Sequence, residues 1–325
     1  MIDRLLRKGR RIRHQRAARA VLATPPIVPT KDPVLIFSMI GTAVLLPYLV
    51  AVKSFHARLG IGRVAILDDG SLTAADRAVL AHHLANPPIL PIGAVNTGAC
   101  PTGGTWERLV TLLDMTANDY VVQLDSDTVT VGDVPEVVRA IAANRSFTLL
   151  GDRLAEARGV LSLLDFMATY HPDGSDIDLA GPAHVIASIE GHWDRYPDPA
   201  RHRYIRGSSG FAGFARGGHL SRASVEVFSR RAENIVGRQK WCRWGSEQVA
   251  SNFLIANSED PVLLPYARYS NYWNDPTGAD DRFLHFVGTH RYSSSEYTCR
   301  TEQAIAALLH QSPEERPRLQ TARQR

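Results

Sequence analysis

The first half of the chain alternates strand-length β-branched runs with helix-length amphipathic segments, and this alternation constrains the fold most. The predicted elements are strands at Val34–Met39, Val64–Leu67 and Tyr120–Leu124, and helices at Leu45–Leu59, Trp106–Met115 and Val134–Ala143. Repeated strand and helix units predict a mainly parallel sheet flanked by helices. We therefore expect the α/β class, with a single Rossmann-like domain whose ligands bind beyond the carboxyl ends of the strands.

Residues 34–52 contain no charged side chain, so a membrane-spanning helix has to be considered. Ser38, Gly41 and Pro47 interrupt this run, and beyond residue 45 the apolar residues recur at helical spacing. We interpret the run as a strand, a short loop and a helix. No signal-peptide cleavage pattern follows it, and we expect that the chain is not secreted.

The basic residues are concentrated at the two ends of the chain. Of the formal net charge of +4, residues 1–20 carry +7 and residues 311–325 carry +2, which leaves −5 for residues 21–310. Nucleic-acid-binding domains carry their positive charge on the folded body, so we expect no nucleic-acid partner. The N-terminal segment favours either a solvated, flexible arm or peripheral contact with an anionic membrane, where each basic residue contributes roughly 1 kcal/mol.

The cysteines argue against a disulfide framework. Cys100, Cys242 and Cys299 are far apart, odd in number and without a Cys-x-x-Cys spacing. This pattern predicts reduced thiols and no zinc site. We therefore expect a cytoplasmic protein, with its basic arm available to the inner face of a membrane.

Two aspartates follow the apolar run Tyr120–Leu124. Asp125 and Asp127 are one residue apart, and on an extended backbone such residues share a face, so both carboxylates can bind one divalent cation. A cation of this kind usually takes its remaining oxygens from water and substrate phosphates. Aspartate is also a common turn former, and a structural turn remains the alternative for this pair alone.

A second acidic pair, Asp68 and Asp69, closes the predicted strand Val64–Leu67 at the same edge of the predicted sheet. Asp69 is a candidate contact to a nucleoside, with a turn position as the alternative. Thr73 and Asp76 follow in a capping-box pattern, which predicts that a helix begins there.

Residues 151–206 are rich in turn-forming residues and predict variable loops around an acceptor. The candidate contacts in these loops are His171, Asp176, Asp178, Trp193 and Tyr196. A solvated loop position is the alternative for each of them.

Three segments of the second half combine small or polar residues at fixed spacings. Residues 206–214 are mostly small and allow a ligand to approach the backbone closely. Residues 244–254 predict a helix start that presents an acidic residue and a glutamine. Residues 283–291 predict a short apolar strand that delivers a histidine, followed six positions later by an arginine.

In this order of motifs the chain resembles the metal-dependent, nucleotide-sugar-using glycosyltransferases of the GT-A fold, and most closely glycosyltransferase family 8. The resemblance covers roughly residues 33–292 and is carried by short motifs. The matching positions are Asp125 and Asp127 for the Asp-x-Asp pair, Glu247, Gln248 and Asn252 for the acidic-Gln-x-x-x-Asn helix start, and His285, Gly288 and Arg291 for the late His-x-x-Gly-x-x-Lys motif, with Arg in place of Lys. Ser208 stands where the family often has Asn, and Glu247 where it usually has Asp.

The resemblance implies a role for each matched position. The implied metal ligands are Asp125, Asp127 and His285, and the implied nucleotide-sugar contacts are Asp69, Arg108, Ser126, Ser208, Gly288 and Arg291. The implied catalytic residues are Glu247 and Gln248. Two carboxylates and a neutral imidazole suit Mn²⁺ better than Mg²⁺, because Mn²⁺ accepts mixed oxygen and nitrogen ligands more readily.

The resemblance also implies a reaction. We expect transfer of a sugar from a UDP-sugar to a hydroxyl of an unidentified glycan, lipid-linked or small-molecule acceptor. Retention of the anomeric configuration is the expected outcome. Inversion, with Glu247 as general base, is the alternative.

Two other functions remain open at this point. The segment Leu124–Val129 also resembles the signature of haloacid-dehalogenase-type phosphatases, in which Asp125 would be the nucleophile. That family places the motif on its first strand and needs a later lysine, and Lys240 is the only lysine after Asp127. The second alternative is a non-catalytic protein that binds nucleotide sugars or carbohydrates.

The expected organisation has four parts. They are a basic, flexible arm at 1–30, a nucleotide-sugar-binding half at 31–150, an acceptor-binding and catalytic half at 151–300, and a C-terminal helix with a basic tail at 301–325.

Overall fold

The computed structural model describes residues 2–217 and 219–310, which form twelve α-helices and twelve β-strands. The helices are α1 (Ile2–Ala18), α2 (Leu45–Leu59), α3 (Ala74–His83), α4 (Trp106–Met115), α5 (Pro135–Ala142), α6 (Arg153–Arg158), α7 (Leu163–Tyr170), α8 (Val185–Glu190), α9 (Arg222–Val236), α10 (Arg238–Trp241), α11 (Ser246–Ala256) and α12 (Glu296–His310). The strands are β1 (Val34–Ile40), β2 (Arg63–Asp68), β3 (Ile89–Pro91), β4 (Tyr120–Leu124), β5 (Thr128–Thr130), β6 (Phe147–Leu150), β7 (Leu161–Ser162), β8 (Arg203–Tyr204), β9 (Gly207–Phe214), β10 (Val262–Leu263), β11 (Tyr269–Asn271) and β12 (Phe283–His285).

The uncharged run at residues 34–52 folds as predicted, into a buried strand and a helix. It forms β1 and most of α2, and the interruption between them is a short 3₁₀ turn at Thr42–Val44. Gly60 ends α2 with a φ of 77°, a left-handed conformation that favours glycine. Among the described residues, no helix is both long enough and apolar enough to cross a membrane.

Seven strands form the main sheet, in the order β10-β6-β9-β4-β1-β2-β3. The neighbours β1 and β2, β2 and β3, and β10 and β6 pair in parallel, whereas β6 and β9 pair antiparallel with a register shift between Thr148 and Leu149. A mostly parallel sheet with helices is the α/β architecture that the alternating pattern predicts.

The chain contacts divide into two compact units, and neither is continuous in sequence. The first unit comprises residues 1–93, 122–139 and 267–325, and the second comprises residues 94–121 and 140–266. Within the first unit, β11, β12 and β5 form a separate three-stranded sheet. Within the second unit, Trp106 and Trp241 pack edge to face with ring centroids 5.8 Å apart, and both are fully buried.

The N-terminal segment differs from its prediction. In place of a flexible arm, the structure has the helix α1, which packs against α12. His14 of α1 is fully buried, stacks on Tyr297 with ring centroids 3.8 Å apart, and lies 3.1 Å from the Thr301 hydroxyl through Nε2. The few buried positions of α1 are scattered among arginines. For this reason the composition of the segment favours a solvated arm. The predicted basic tail at 311–325 lies outside the described residues.

Candidate active site

Strand pairing in the first unit brings the two aspartates next to the late histidine. Asp125 and Asp127 lie in the loop between β4 and β5, and β12 pairs antiparallel with β5 so that His285 is opposite Thr128. The amide of Phe286 donates to the carbonyl of Asp127 at 2.8 Å and extends this pairing by one bond. The sheet therefore joins two motifs that are far apart in sequence.

The three side chains converge closely enough to bind one cation. One ligand atom from each of Asp125, Asp127 and His285 lies within 4.8 Å of the others. The Nε2 atom of His285 is 3.3 Å from Oδ1 of Asp127 and 3.9 Å from Oδ2 of Asp125. Oxygen and imidazole ligands at these separations fit a divalent metal such as Mn²⁺ or Mg²⁺.

A neighbouring asparagine orients the histidine for this purpose. The Nδ1 atom of His285 lies 2.8 Å from the side-chain oxygen of Asn271, on the adjacent strand β11. An amide oxygen only accepts, so Nδ1 carries a proton and Nε2 is the ring nitrogen that faces the aspartates. Metal-binding histidines are commonly held in this way by a partner behind the ring. The sequence analysis did not identify Asn271, because neither its type nor its spacing marks it.

Arg291 lies against the same cluster. Its guanidinium pairs with Oδ2 of Asp127, and its Nε donates to the carbonyl of Phe286 at 3.0 Å. A 3₁₀ turn at Gly288–His290, with a φ of 35° at Gly288, leads the chain from His285 to Arg291. The late motif therefore brings both His285 and Arg291 to the carboxylate of Asp127.

These contacts decide the charge of the cluster. Burial raises the pKa of Asp127, but His285 and Arg291 oppose it more strongly, so the pKa lies below its ordinary value. Burial lowers the pKa of His285, but Asp127 and Asp125 raise it, with a net shift upward. Asp127 is therefore ionised, and the carboxylates attract positive charge to Nε2. A divalent cation would take the place of the proton there.

The remaining candidates of the first unit occupy loops and turns. Asp69 is exposed and accepts hydrogen bonds from the amide of Ser71 at 2.9 Å and from its hydroxyl at 2.6 Å. The neighbouring Asp68 is buried and pairs with Arg77. Ser126 is half-buried, and its carbonyl lies 3.5 Å from the hydroxyl of Tyr297. Asp69 thus occupies a turn, and contact with a nucleoside remains a prediction.

In the second unit, the structure pairs two predicted site residues with each other. Arg108 of α4 and Glu247 of α11 form a buried ion pair, with Nη2 3.4 Å from Oε1 and side-chain exposures of 5% and 2%. The hydroxyl of Thr105 donates to the other carboxylate oxygen of Glu247 at 3.0 Å. Trp106 donates from its indole nitrogen to the hydroxyl of Ser246 at 2.8 Å. Glu247 is therefore held in place by the helix that precedes the Asp-x-Asp strand.

The start of α11 also contacts the small-residue strand β9. The side-chain oxygen of Gln248 accepts from the amide of Ser209 at 3.3 Å, and the side chain of Asn252 donates to the carbonyl of Gly207 at 3.1 Å. Ser208 is buried beside these contacts. A side chain at residue 207 would come within 2.6 Å of the Asn252 side-chain oxygen, which explains the glycine. The start of α11 and the small-residue strand β9 are therefore packed directly against each other.

The candidate acceptor contacts within residues 151–206 differ in their exposure to solvent. Trp193 and Tyr196 are 0% and 2% exposed and belong to the core of the second unit, whereas Asp176 and Asp178 are exposed. His171 is half-buried, with its Nε2 atom 2.9 Å from a carboxylate oxygen of Glu190.

Glu190, which sequence reasoning missed, also pairs with Arg206 at 2.5 Å. The guanidinium of Arg206 lies over the ring of Tyr170, 4.3 Å from its centroid. No local motif marks a lone glutamate at the end of a short helix.

Comparison with known proteins identifies the fold. No protein-family model matches the chain, and no curated protein sequence matches it. A crystal structure of an active-site mutant of LgtC superposes with a TM-score of 0.50, at 14% sequence identity, over 86% of this chain and 98% of that one. The chain has the GT-A glycosyltransferase fold that the motifs predict.

Two further solved structures are similar. One is the galactosyltransferase LgtC in complex with donor and acceptor sugar analogs, with a TM-score of 0.47, 14% identity, and coverage of 86% of this chain and 98% of that one. The other is the bifunctional glycosyltransferase WbbM, with a TM-score of 0.46, 13% identity and 87% coverage of this chain. The present chain spans 53% of the length of WbbM.

Proposed function

We propose that this chain is a metal-dependent glycosyltransferase that moves a sugar from a nucleotide diphosphate sugar, with a UDP-sugar as the expected donor, to an acceptor hydroxyl. The observation that carries the proposal is the convergence of Asp125, Asp127 and His285, with Arg291 against Asp127. The GT-A fold supports it. The acceptor class is a glycan, a lipid-linked saccharide or a small molecule that carries a free hydroxyl.

The charges of the cluster suit the departure of a diphosphate. Asp125, Asp127 and His285 would hold Mn²⁺ or Mg²⁺, which when bound supplies positive charge to the diphosphate oxygens. Arg291 supplies a second positive charge that is independent of pH, since a guanidinium stays protonated. As the sugar leaves, the bond between the anomeric carbon and the phosphate oxygen breaks with its electrons on oxygen. Positive charge already in place at that position lowers the barrier.

We propose that the reaction retains the anomeric configuration. An inverting enzyme needs a general base toward the acceptor hydroxyl, and the candidate was Glu247. That carboxylate is buried and neutralised by Arg108, and this environment favours a structural role. In a retaining reaction on one face of the sugar, the acceptor oxygen bonds to the anomeric carbon as the bond to the phosphate oxygen breaks. The hydroxyl proton passes to that departing phosphate oxygen, so this route needs no protein base.

Roles for the other predicted residues belong to the same proposal. We assign donor contacts to Asp69, Arg108, Ser126, Ser208 and Gly288. Gln248 is assigned the stabilisation of the positively charged anomeric carbon, since an amide oxygen carries partial negative charge. Single substitutions at these positions test each role by its effect on the KM for the donor and on kcat.

The phosphatase alternative is not favoured by the structure. The Asp-x-Asp pair follows the fourth strand of the chain, not the first. Lys240, the lysine such an enzyme would need, is buried and donates to the carbonyl of Gly181 at 3.3 Å and to the hydroxyl of Ser188 at 3.1 Å. These bonds use two of the three donors of its ammonium group and hold it inside the protein.

The proposed compartment is the cytoplasm. Cys100 is buried, Cys242 and Cys299 are exposed, and all three are free thiols. Exposed thiols suit a reducing compartment. Localisation of a fluorescently tagged full chain tests this proposal, and a secreted product would contradict it.

The test of the activity is a donor panel. The purified protein is incubated with nucleotide sugars and Mn²⁺, and release of the nucleoside diphosphate is measured for the wild type, Asp127→Ala and the control Asp133→Ala. Asp133 is a matched control because it lies in the same unit and its side chain is 82% exposed. We expect Mn²⁺-dependent release from one donor, lost in Asp127→Ala and kept in Asp133→Ala.

Other outcomes reject the proposal. Phosphate release from phosphomonoesters that requires Asp125, without any donor turnover, would indicate a phosphatase. Tight binding of a nucleotide sugar without turnover, in the presence of an acceptor panel, would indicate a binding protein.

A further inference from the structure

Helix α1 has one face that the protein covers and one that it does not. The covered face contains Arg10, whose guanidinium donates to the carbonyl of Ser293 at 2.5 Å, and the fully buried His14 and Ala18. The opposite face, here called the outer face, consists of Leu5, Lys8, Ile12 and Arg16 of α1 and continues to Arg19, the first residue of the 3₁₀ turn Arg19–Ala23. All five residues are exposed and are spaced three or four positions apart.

The outer face combines positive charge with exposed apolar side chains. Leu5 is 63% exposed and Ile12 is 42% exposed, whereas the apolar stripe of a surface helix ordinarily faces the core. Within residues 2–217 and 219–310, Lys8, Arg16 and Arg19 make no ion pair. Residues 1–20 carry eight basic residues and one acidic residue, so this charge is not compensated along the helix. Leucine and isoleucine between unpaired cations are typical of helices that lie in a membrane interface.

A groove continues from this face to the 3₁₀ turn Thr42–Val44 and the start of α2. It has a volume of about 460 Å³. Its lining residues are Ile12, Gln15, Arg16 and Arg19 on one side and Thr42, Ala43, Leu46 and Pro47 on the other. Two arginines in one groove with the apolar residues Ile12, Leu46 and Pro47 match the chemistry of a phospholipid, which has an anionic phosphate next to an acyl chain. The groove therefore extends the same pattern of charge and apolar surface beyond the helix.

We propose that the outer face of α1 and this groove bind the surface of a bilayer that contains anionic phospholipids. Nucleic acid fits less well, because the exposed aliphatic side chains have no role on a phosphate backbone. A free phosphate would use the two arginines but not Leu5, Lys8 or Ile12. The covered face of α1 stays docked on the protein, so the helix lies along the membrane surface without spanning it.

The test is co-sedimentation of the full chain with vesicles. Vesicles of equal parts phosphatidylglycerol and phosphatidylcholine are compared with vesicles of phosphatidylcholine alone, and inorganic phosphate is added as a competitor at constant ionic strength. We expect binding to the anionic vesicles only, loss of binding at high salt because exposed charges are then screened, and no specific effect of phosphate. Binding to free phosphate but not to vesicles would overturn the proposal and leave a small anion site.

Two variants of the outer face separate its charge from its apolar part. Each basic residue near an anionic surface is worth roughly fivefold in partitioning, so Arg16→Gln with Arg19→Gln is expected to weaken vesicle binding about 30-fold. Leu5→Ser with Ile12→Ser is expected to weaken vesicle binding even in low salt, where the attraction between charges is strongest. Both variants change exposed side chains only, and circular dichroism checks that α1 remains folded.

The matched control removes two arginines elsewhere. Arg230 and Arg238 are 56% and 72% exposed on the second unit, and Arg230→Gln with Arg238→Gln makes the same change in net charge. We expect this control to bind anionic vesicles like the wild type. Equal losses in the control and in Arg16→Gln with Arg19→Gln would show that net charge alone acts, and would overturn the proposed surface.

Discussion

The side-chain oxygen of Asn271 lies 2.8 Å from Nδ1 of His285, and this contact decides which nitrogen of the histidine faces Asp125 and Asp127. It belongs to the pairing of β11 with β12, in which Asn271 is opposite His285. The position of the imidazole is thus set by backbone pairing, and its tautomer by one amide. Loss of a partner of this kind typically weakens metal affinity about 10- to 100-fold.

Asn271→Leu should weaken the binding of Mn²⁺ about 10- to 100-fold, because the imidazole loses the acceptor that orients it. Calorimetric titration with Mn²⁺ measures this effect. Asn118→Ala, at an exposed asparagine of the second unit, is the control and should leave the affinity unchanged. An unaltered Mn²⁺ affinity in Asn271→Leu would show that the asparagine does not position the ligand.

Arg291→Ala should lower kcat for donor turnover about 10²- to 10³-fold, as expected for the loss of a charge that stabilises the leaving group. Arg291→Lys should recover part of the rate, since the resembled family has lysine at this position. Steady-state kinetics separates kcat from KM. Arg58→Ala, which removes an arginine that pairs with the exposed Asp133 at 3.1 Å, should have little effect. A change in KM alone would assign Arg291 to ground-state binding of the donor.

The buried pair of Arg108 and Glu247 should show a large coupling energy in stability. Arg108→Leu leaves a carboxylate without its buried partner and should lower the free energy of unfolding by about 3–5 kcal/mol. The double variant Arg108→Leu with Glu247→Leu should be more stable than this single variant, because no charge is left unpaired. Urea denaturation measures all members of the cycle. Additive losses would mean that the two side chains do not interact.

The sequence predicts the strands and helices around the Asp-x-Asp motif because their signals are local. The uncharged run at 34–52 divides after Gly41, while Pro47, the other predicted interruption, lies in the first turn of α2. Thr73 and Asp76 form the capping box that their spacing predicts. Spacing along the chain pairs Asp125 with Asp127, but His285 joins them only through the resemblance to the glycosyltransferases, because β12 has only three residues and no strong pattern of its own.

Other features depend on contacts that no local pattern encodes. Asn271 and Glu190 make their contacts with residues that are distant in sequence, so only the folded structure identifies them. The docking of α1 was missed for a related reason, since the favourable burial of His14 and Ala18 comes from α12 and other distant residues. The composition of this segment is dominated by its many solvated arginines. It therefore does not indicate which few positions are buried.

Stability should depend on pH through His14. Burial, and secondarily Arg291, lower the pKa of His14 from 6.5 to about 4 in the folded protein. The unfolded chain therefore binds a proton more readily, so the contribution of His14 to stability is complete above about pH 6.5 and is lost as the pH falls toward 4. From these values we expect a loss of about 2 kcal/mol between pH 7 and pH 5.

The variant His14→Phe isolates this effect, because it keeps an aromatic ring against Tyr297 but cannot be protonated. Urea denaturation at both pH values should show a smaller loss of stability in His14→Phe than in the wild type. His310→Gln, at an exposed histidine of α12, is the control and should behave like the wild type. Equal pH dependence in all three proteins would contradict the buried, neutral state of His14.

Anomalous diffraction from crystals grown with Mn²⁺ and UDP tests the central claim most directly. The account predicts a single strong manganese peak between the carboxylates of Asp125 and Asp127 and Nε2 of His285, with the diphosphate completing the coordination beside Arg291. In crystals of Asp127→Ala the peak should be absent. A manganese peak elsewhere, or bound UDP without any manganese at these three side chains, would contradict the account.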